Sequence, residues 1–480
     1  MDYDLLILGA GAAGMMAAIA AGEAGGGSLR IAVLEKNGRA GIKVLVCGGG
    51  RCNFTNAGTI EFLIEQFGRN GRFLTPALRH LDNERLRAFF AALGVPSHVE
   101  HDGKVYPDSN EAKSVVDALV RRMGELGVEV FAGSGSAAAS VRRVDDRSAM
   151  RGAASTIERQ TPNDSFFEVT TVDGRTLQSR ALLLAVGGMS YQRMGTTGDG
   201  YRLAAALGHS LVTPRPAIVG LLVAEEWVKD LQGLAVRDVD VRMVAEGGKL
   251  ATGKVTPTVN DMLFTHFGLS GPAILNPSEV VAELLEKAAV RLKVDFLRHF
   301  SHAQLHEVMR GWQQKAGKKR IRTMLSLGQP EVEQVVRGTS PDMTWADPGT
   351  GAGAVGGVSV PARLGVKVCE LEGISPEQVC AELTSGQIHR LVERLKGCMF
   401  TVTGTRGFKE AMVTAGGVKL SEVDPRTLES KIVPGLYLTG EVMDLTGPSG
   451  GYNLQLAFST GHLAGKTVGE RLAQEKAPTV

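Results

Sequence analysis

Three stretches of this 480-residue chain predict an α/β fold built on a discontinuous Rossmann-type domain. The first is an apolar run, Asp4-Leu5-Leu6-Ile7-Leu8, that ends in Gly9-x-Gly11-x-x-Gly14 and passes into an alanine-rich segment of helical character. The second is another apolar run, Ile31-Ala32-Val33-Leu34, which delivers an acid, Glu35, about 20 residues past the glycines. The third lies at the far end, where Leu436-Tyr437-Leu438 is followed by Gly440-Glu441 and then by Gly450-Gly451-Tyr452-Asn453, the opening of a helix expected from Leu454 to Glu470. Strand, glycine turn, acid and glycine-initiated helix thus occur at both ends. The ends are expected to pair into one domain, with the middle of the chain inserted.

Each glycine of the first turn has a task. Gly9 allows a tight turn, Gly11 lets backbone N–H groups approach a pyrophosphate, and Gly14 lets the helix pack on the strand. The helix start directs positive potential at phosphates. Glu35 stands where a carboxylate accepts hydrogen bonds from ribose hydroxyls, so FAD or NAD fits and NADP is disfavoured. With 61 glycines in the chain a bare match is expected by chance, and a glycine-zippered core helix is the bland alternative. The preceding strand, the alanine-rich helix and the spacing to the acid favour the dinucleotide. Leu5 to Gly22 carries no charge, but Asp2 and Asp4 stand where a signal peptide wants Lys or Arg. The segment is therefore expected to be core.

Further along, Cys47-Gly48-Gly49-Gly50-Arg51-Cys52-Asn53 is a triple-glycine turn, and helices are expected around 83–90 and 110–120. Asp102-Gly103 turns into a short extended piece ending at Pro107. Strands are expected at Val128–Val130, Phe166–Thr170 and Leu177–Val186, with Asp173-Gly174 a hairpin turn. The polar piece from Val144 to Ser165 reads as a hairpin extension or loop. A helix follows Asp199-Gly200, and Pro214-Arg215-Pro216 reads as a boundary. Short β-rich segments then run to about Asn260, 278–327 reads as helices, 339–357 as a linker, and helix resumes over 375–396.

Composition narrows the function. The net charge is +2, from 53 basic against 51 acidic residues, so no global field draws the chain to nucleic acid or membrane. Five cysteines without a C-x-x-C spacing point to reduced thiols and a cytoplasmic setting. Ten scattered histidines give no metal-ligand spacing, and no metal is expected.

Several segments together resemble the BaiN/RdsA-type family of bacterial NAD(P)/FAD-dependent oxidoreductases, which also takes in aminoacetone-oxidase-like flavoproteins. They are 48–56, Val105-Tyr106-Pro107, 195–201, 263–272, 402–408, 414–418, and Gly440-Glu441-Val442-Met443-Asp444 through Gln455. The resemblance implies a first part of an FAD-binding domain over 1–213 and a second part over 413–480. It implies a small β-barrel from 214–275 and 398–412, and a helical module over 276–397. The chain departs from the family at Ile42-Lys43-Val44-Leu45-Val46-Cys47, where Lys-Lys-Leu-Leu before a Ser is common, and at Val186 and Gln192, where Thr and Pro are usual. Segments near 144–165 and 328–357 read as added length.

Motifs and resemblance together place FAD contacts at Gly9, Gly11, Ala12, Ala13 and Gly14, then at Glu35, Lys36, Gly41 and Lys43. Further contacts are expected at Gly49, Arg51, Cys52, Asn53 and Gly187, and at Gly440, Glu441, Asp444, Gly450, Gly451, Tyr452, Asn453 and Leu454. The acid beyond the last strand suits a ribityl hydroxyl, and the glycine-initiated helix suits the flavin O2. The resemblance implies reduction of an enone, reduction of uridine in ribosomal RNA to dihydrouridine, or oxidation of a small amine with O2. The first two are one reaction, because uracil C5=C6 is conjugated to C4=O. Reduction driven by NAD(P)H is the leading expectation, with ribosomal uridine ahead of a small enone. Cys47, Cys52, His266 and Tyr452 are candidate proton donors. Lys315, Lys318, Lys319, Arg320 and Arg322 form a candidate phosphate-binding stretch, against the alternative of a solvated helix face. A disulfide reductase acting through Cys47 and Cys52 is the rival chemistry.

Overall fold

The computed structural model describes residues 1–145, 165–244, 258–326 and 359–477. The chain folds into two compact units: Met1–Ala217 with Gly407–Val480, and Ile218–Arg406.

The first unit is built on a seven-stranded sheet. Strand β1 (Tyr3–Leu8) lies between β2 (Ile31–Glu35) and the strand Thr176–Leu184, parallel to both, and Glu129–Ala132 extends the sheet beyond β2. Every residue of β1 and β2 is buried, which is why both read as continuous apolar runs. On the far side of Thr176–Leu184 two neighbours share one edge. Ser165–Thr171 pairs antiparallel with its first half, and Leu436–Leu438, from the end of the chain, pairs parallel with its second half. The expected union of the two ends is therefore a direct strand pairing, Leu436 to Leu182 through Leu438 to Leu184.

Helix α1 (Ala12–Ala24) crosses the long final helix, Tyr452–Lys476, with little between the backbones. Cβ atoms added at Gly461 and Gly465 would lie 2.3 and 2.2 Å from the carbonyl oxygens of Ala13 and Ala17. A glycine every fourth residue gives the final helix a bare stripe, and α1 sits in it. That stripe belongs to the final helix; the glycine-zipper alternative concerns Gly9, Gly11 and Gly14, and Gly9 and Gly14 pack within the turn itself. The final helix runs longer than the expected 454–470. Pro214-Arg215-Pro216 lies inside the strand Leu211–Ala217, which among the described residues pairs only with Val413–Val418 and has a register shift between Val212 and Arg215. A strand with one free edge and a bulge tolerates proline. Of the 144–165 piece, only the ends are described, as the ends of two paired strands, Ala138–Asp145 and Ser165–Thr171.

The second unit holds a closed six-stranded barrel of Leu221–Val223, Gly268–Ser270, Thr258–Phe264, Ala235–Val244, Val290–Asp295 and Cys398–Thr405. Val290–Asp295 corrects the helical reading of 278–327. Val290, Leu292 and Val294 face inward in strict alternation with Arg291, Lys293 and Asp295, a two-residue period overlooked between helix-like neighbours. Helices His302–Lys315, Ala362–Leu371 and Ser385–Lys396 pack into the same core, around the fully buried Trp312. The expected linker at 339–357 lies outside the described residues.

Candidate functional site

At the first turn, Gly9 adopts φ +97°, and a Cβ there would meet the Ala185 carbonyl oxygen at 2.6 Å. At Gly14 it would meet the Gly9 oxygen at 1.9 Å. Any side chain at either position would displace backbone. Gly11, by contrast, has nothing within 4 Å of its Cβ position, so the space over the start of α1 is open. Helix α1 has no side-chain cap and no acid in its first turn, where Ala12 and Ala13 stand. The final helix likewise starts from a glycine, Gly451, with no side-chain cap and no first-turn acid. Helix starts left this way present unpaired N–H groups to an anion. Two of them in one unit fit a dinucleotide cofactor.

Glu35 is 7% exposed. Its Oε2 accepts from the Ala10 amide at 2.9 Å, and its Oε1 accepts from the Asn37 amide and side chain, both at 2.8 Å. A carboxylate has about four acceptor positions, so one is left for a ribose hydroxyl. Gly41, at φ +74°, ties back to the Ala10 carbonyl at 2.9 Å. Lys36 engages Asp199 and Thr197, each at 2.6 Å, and so reaches the 195–201 motif.

The triple-glycine turn is left-handed throughout, with Gly49 at φ +68° and open on its Cβ side. Arg51 stacks 3.9 Å above the Tyr106 ring, with its guanidinium on Glu100 at 2.6 Å and on Asn110. Asn53 accepts from the Val105 amide at 3.2 Å. Arg51 and Asn53 therefore clamp the turn to the 97–107 strands.

At the C-terminal end, Gly440 (φ +71°) leaves room for Ala13, 3.1 Å from its Cβ position. Glu441 accepts from Lys43, Ser190 and the Thr414 amide. Asp444 accepts from Asn70, and burial raises its carboxyl above the usual range. Asn453 folds back on Gly447 and Pro448, which shapes the loop into Gly450 and Gly451. Leu454 packs at the edge of the main core, and Gly187 turns at φ +71° beside Glu441. Ser190 and Thr414 were missed from the sequence; Thr414 opens one of the family-like segments, but nothing local marks either as a partner of Glu441.

The acid candidates separate. Cys52 is fully buried at φ +62°, and burial pushes its thiol well above the usual range. Burial pushes the Cys47 thiol up to about 11. Both are free thiols. Tyr452 is 6% exposed and packs on Phe62, and burial raises its phenol above the usual range. His266 belongs to the second unit, exposed on the turn before Gly268 and edge-on to Phe267.

Fold and turn define a dinucleotide-binding Rossmann protein whose domain is split in sequence. A family model described as HI0933-like protein Rossmann domain matches residues 3–467, and the chain belongs to that family of flavoprotein oxidoreductases, the BaiN/RdsA type. It is 30% identical over 466 residues to the 3-dehydro-bile acid delta(4,6)-reductase of Clostridium scindens, covering 97% of this chain and 98% of the relative. It is 27% identical over 457 residues to the ribosomal RNA dihydrouridine synthase of Haemophilus influenzae, covering 95% and 96%. The Escherichia coli ribosomal RNA dihydrouridine synthase is 28% identical over 462 residues, again covering 95% and 96%. No helix among the described residues is long and apolar enough to cross a membrane.

Proposed function

We propose that this protein is a cytoplasmic, FAD-dependent reductase of a conjugated C=C bond, fuelled by NAD(P)H, with ribosomal uridine as its substrate and a small enone as the second choice. One observation carries the reading. Relatives with different substrates, each matched over nearly the whole chain, are named for the same chemistry, saturation of a C=C bond. Five free cysteines support a reducing compartment.

When bound, the flavin would supply the hydride for the β carbon of the substrate. The chain supplies the rest. The open space at Gly11 and the uncapped start of α1 suit the pyrophosphate, and Glu35 suits the adenosine ribose. Tyr452 is the proton donor for the α carbon: it opens the final helix beside the glycine cradle, and a phenol is protonated at neutral pH. Cys52 is buried and Cys47 half-buried, and both thiols are pushed above the usual range, which argues against dithiol chemistry.

The test is an anaerobic visible spectrum of the purified protein before and after NADH or NADPH, followed by uridine-containing ribosomal RNA or an enone. Flavin absorbance should bleach with a nicotinamide and recover with the substrate, and Tyr452→Phe should slow recovery about 100-fold without slowing bleaching. Bleaching by a small amine in place of a nicotinamide would move the assignment to an oxidase. A colourless protein that cannot be reconstituted with FAD would overturn the cofactor.

A further inference from the structure

Lys43 comes from the short helix Ile42–Val46, and Glu441 stands 398 residues later, just past the strand Leu436–Leu438. Their side chains meet at 2.6 Å, with 21% and 17% of each exposed. Ser190 closes a ring between them. Its Oγ accepts from Lys43 Nζ at 2.8 Å and donates to Glu441 Oε1 at 2.8 Å. The same Oε1 accepts from the Thr414 amide at 2.7 Å. Thr414 Oγ1 in turn accepts from the amides of Met189 and Ser190 at 2.8 and 3.1 Å, which pins the turn that carries Ser190.

This ring fills the two oxygens unequally. Oε1 has two donors and Oε2 has one, so the remaining acceptor position belongs to Oε2. The turn beside it is stripped of side chains. A Cβ at Gly188 would lie 2.5 Å from Thr414 Oγ1 and 3.0 Å from Glu441 Oε1, while at Gly187 the nearest Glu441 atom would be Oε2, at 3.9 Å. Both hydrogen bonds of the Lys43 ammonium lie within the ring, which takes two of its three N–H groups and turns it to the carboxylate.

We propose that Lys43 is a positioning residue which, with Ser190 and the Thr414 amide, fixes the Glu441 carboxylate so that Oε2 keeps one acceptor position for a hydroxyl of the flavin's ribityl chain. The proposal rests on the FAD reading above. It makes a specific demand. Lys43 should act on the flavin half of the cofactor and only through Glu441, leaving the adenosine half, held at Gly11 and Glu35, untouched.

ADP carries the adenosine and pyrophosphate of FAD and lacks the ribityl chain, so it separates the halves. Apoprotein is titrated with FAD and with ADP by calorimetry, with thermal melts as a control on folding. Lys43→Met should weaken FAD about 30-fold and change ADP affinity less than about 2-fold, the loss expected for one charge-assisted hydrogen-bond geometry. Lys43→Arg, which keeps the cation, should recover most of the FAD affinity. Glu441→Gln should weaken FAD comparably, and adding Lys43→Met to it should weaken FAD little further, because the partner is already gone. Ser190→Ala tests the same ring if Lys43→Met does not fold. Lys43→Met with wild-type FAD affinity, or with FAD and ADP weakened equally, overturns the positioning role while leaving the cofactor reading intact. Wild-type apoprotein that binds ADP but not FAD, or neither, overturns the cofactor reading, and this proposal with it.

Discussion

Glu35 and Glu441 stand in matching places, each at or just past the end of a parallel strand of the same sheet, and they are held in opposite ways. Glu35 is fixed by its own neighbourhood: Asn37 is two residues away and Ala10 is 25. Its donors are amides, and no cation is among its hydrogen-bond partners in the described residues. Glu441 is fixed from far along the chain, by Ser190 at 251 residues and Lys43 at 398, and one of its partners is an ammonium. A carboxylate held locally is ready as soon as the β1–α1–β2 unit forms. One held remotely is ready only when the ends of the chain have come together.

Replacing each acid by leucine breaks the comparison most sharply. Glu35→Leu strands the buried amide of Ala10 and the half-buried amide of Asn37, a loss of about 3 kcal/mol in unfolding free energy at roughly 1–3 kcal/mol per orphaned donor. It should abolish binding of ADP and FAD together. Glu441→Leu strands the partly exposed Lys43 ammonium and the amide of the buried Thr414, at a cost of about 2 kcal/mol, and should abolish FAD binding while ADP still binds. Denaturant melts and ADP titrations check both, and equal loss of ADP in the two variants would erase the distinction.

Acid offers a smaller lever on the remotely held side. His462, on the final helix, meets His80 at 2.9 Å, and burial pushes its imidazole down to about 4. It is neutral in the fold and takes up a proton near pH 6.5 when unfolded, so the stability it contributes is complete above pH 6.5 and is lost as the pH falls from 6.5 towards 4. By pH 5 the loss is about 2 kcal/mol. His462→Asn should flatten that part of the pH profile. A profile equally steep in the variant would assign the acid sensitivity to other groups.

The same contrast of local with remote explains what could be read in the sequence. Gly9, Gly11, Gly14 and Glu35 were legible because the turn, the helix start and the acid lie within one βαβ unit, where spacing stands in for geometry. The glycine opening of the final helix was legible for the same reason, and so was the union of the two ends, since each end carries half of one pattern. Lys43 is expected as a cofactor contact although its segment departs from the family pattern, and the structure shows its ammonium on Glu441 and Ser190. Nothing in the sequence near Thr414 or Ser190 announces that contact, since it depends on segments that meet only after the sheet is assembled. The strand Val290–Asp295 was lost for a different reason: its two-residue alternation is six residues long and flanked by helix-forming sequence.

The smallest expected effect concerns the second unit, whose basic stretch lies apart in sequence from both acids. Arg320 and Arg322 share Glu377, so their charge is partly answered within the protein. Lys318 and Lys319 are exposed and Lys315 is half-buried near the end of its helix. If these lysines meet phosphates, reversing all three to glutamate should weaken ribosomal RNA about tenfold and lower the slope of log Kd against log salt by about 2, near 0.7 for each lost single-strand phosphate contact. FAD affinity should stay at its wild-type value, because both acids belong to the other unit. An unchanged salt slope would return the stretch to an ordinary solvated face and leave substrate choice to the first unit and its glycine-lined cradle.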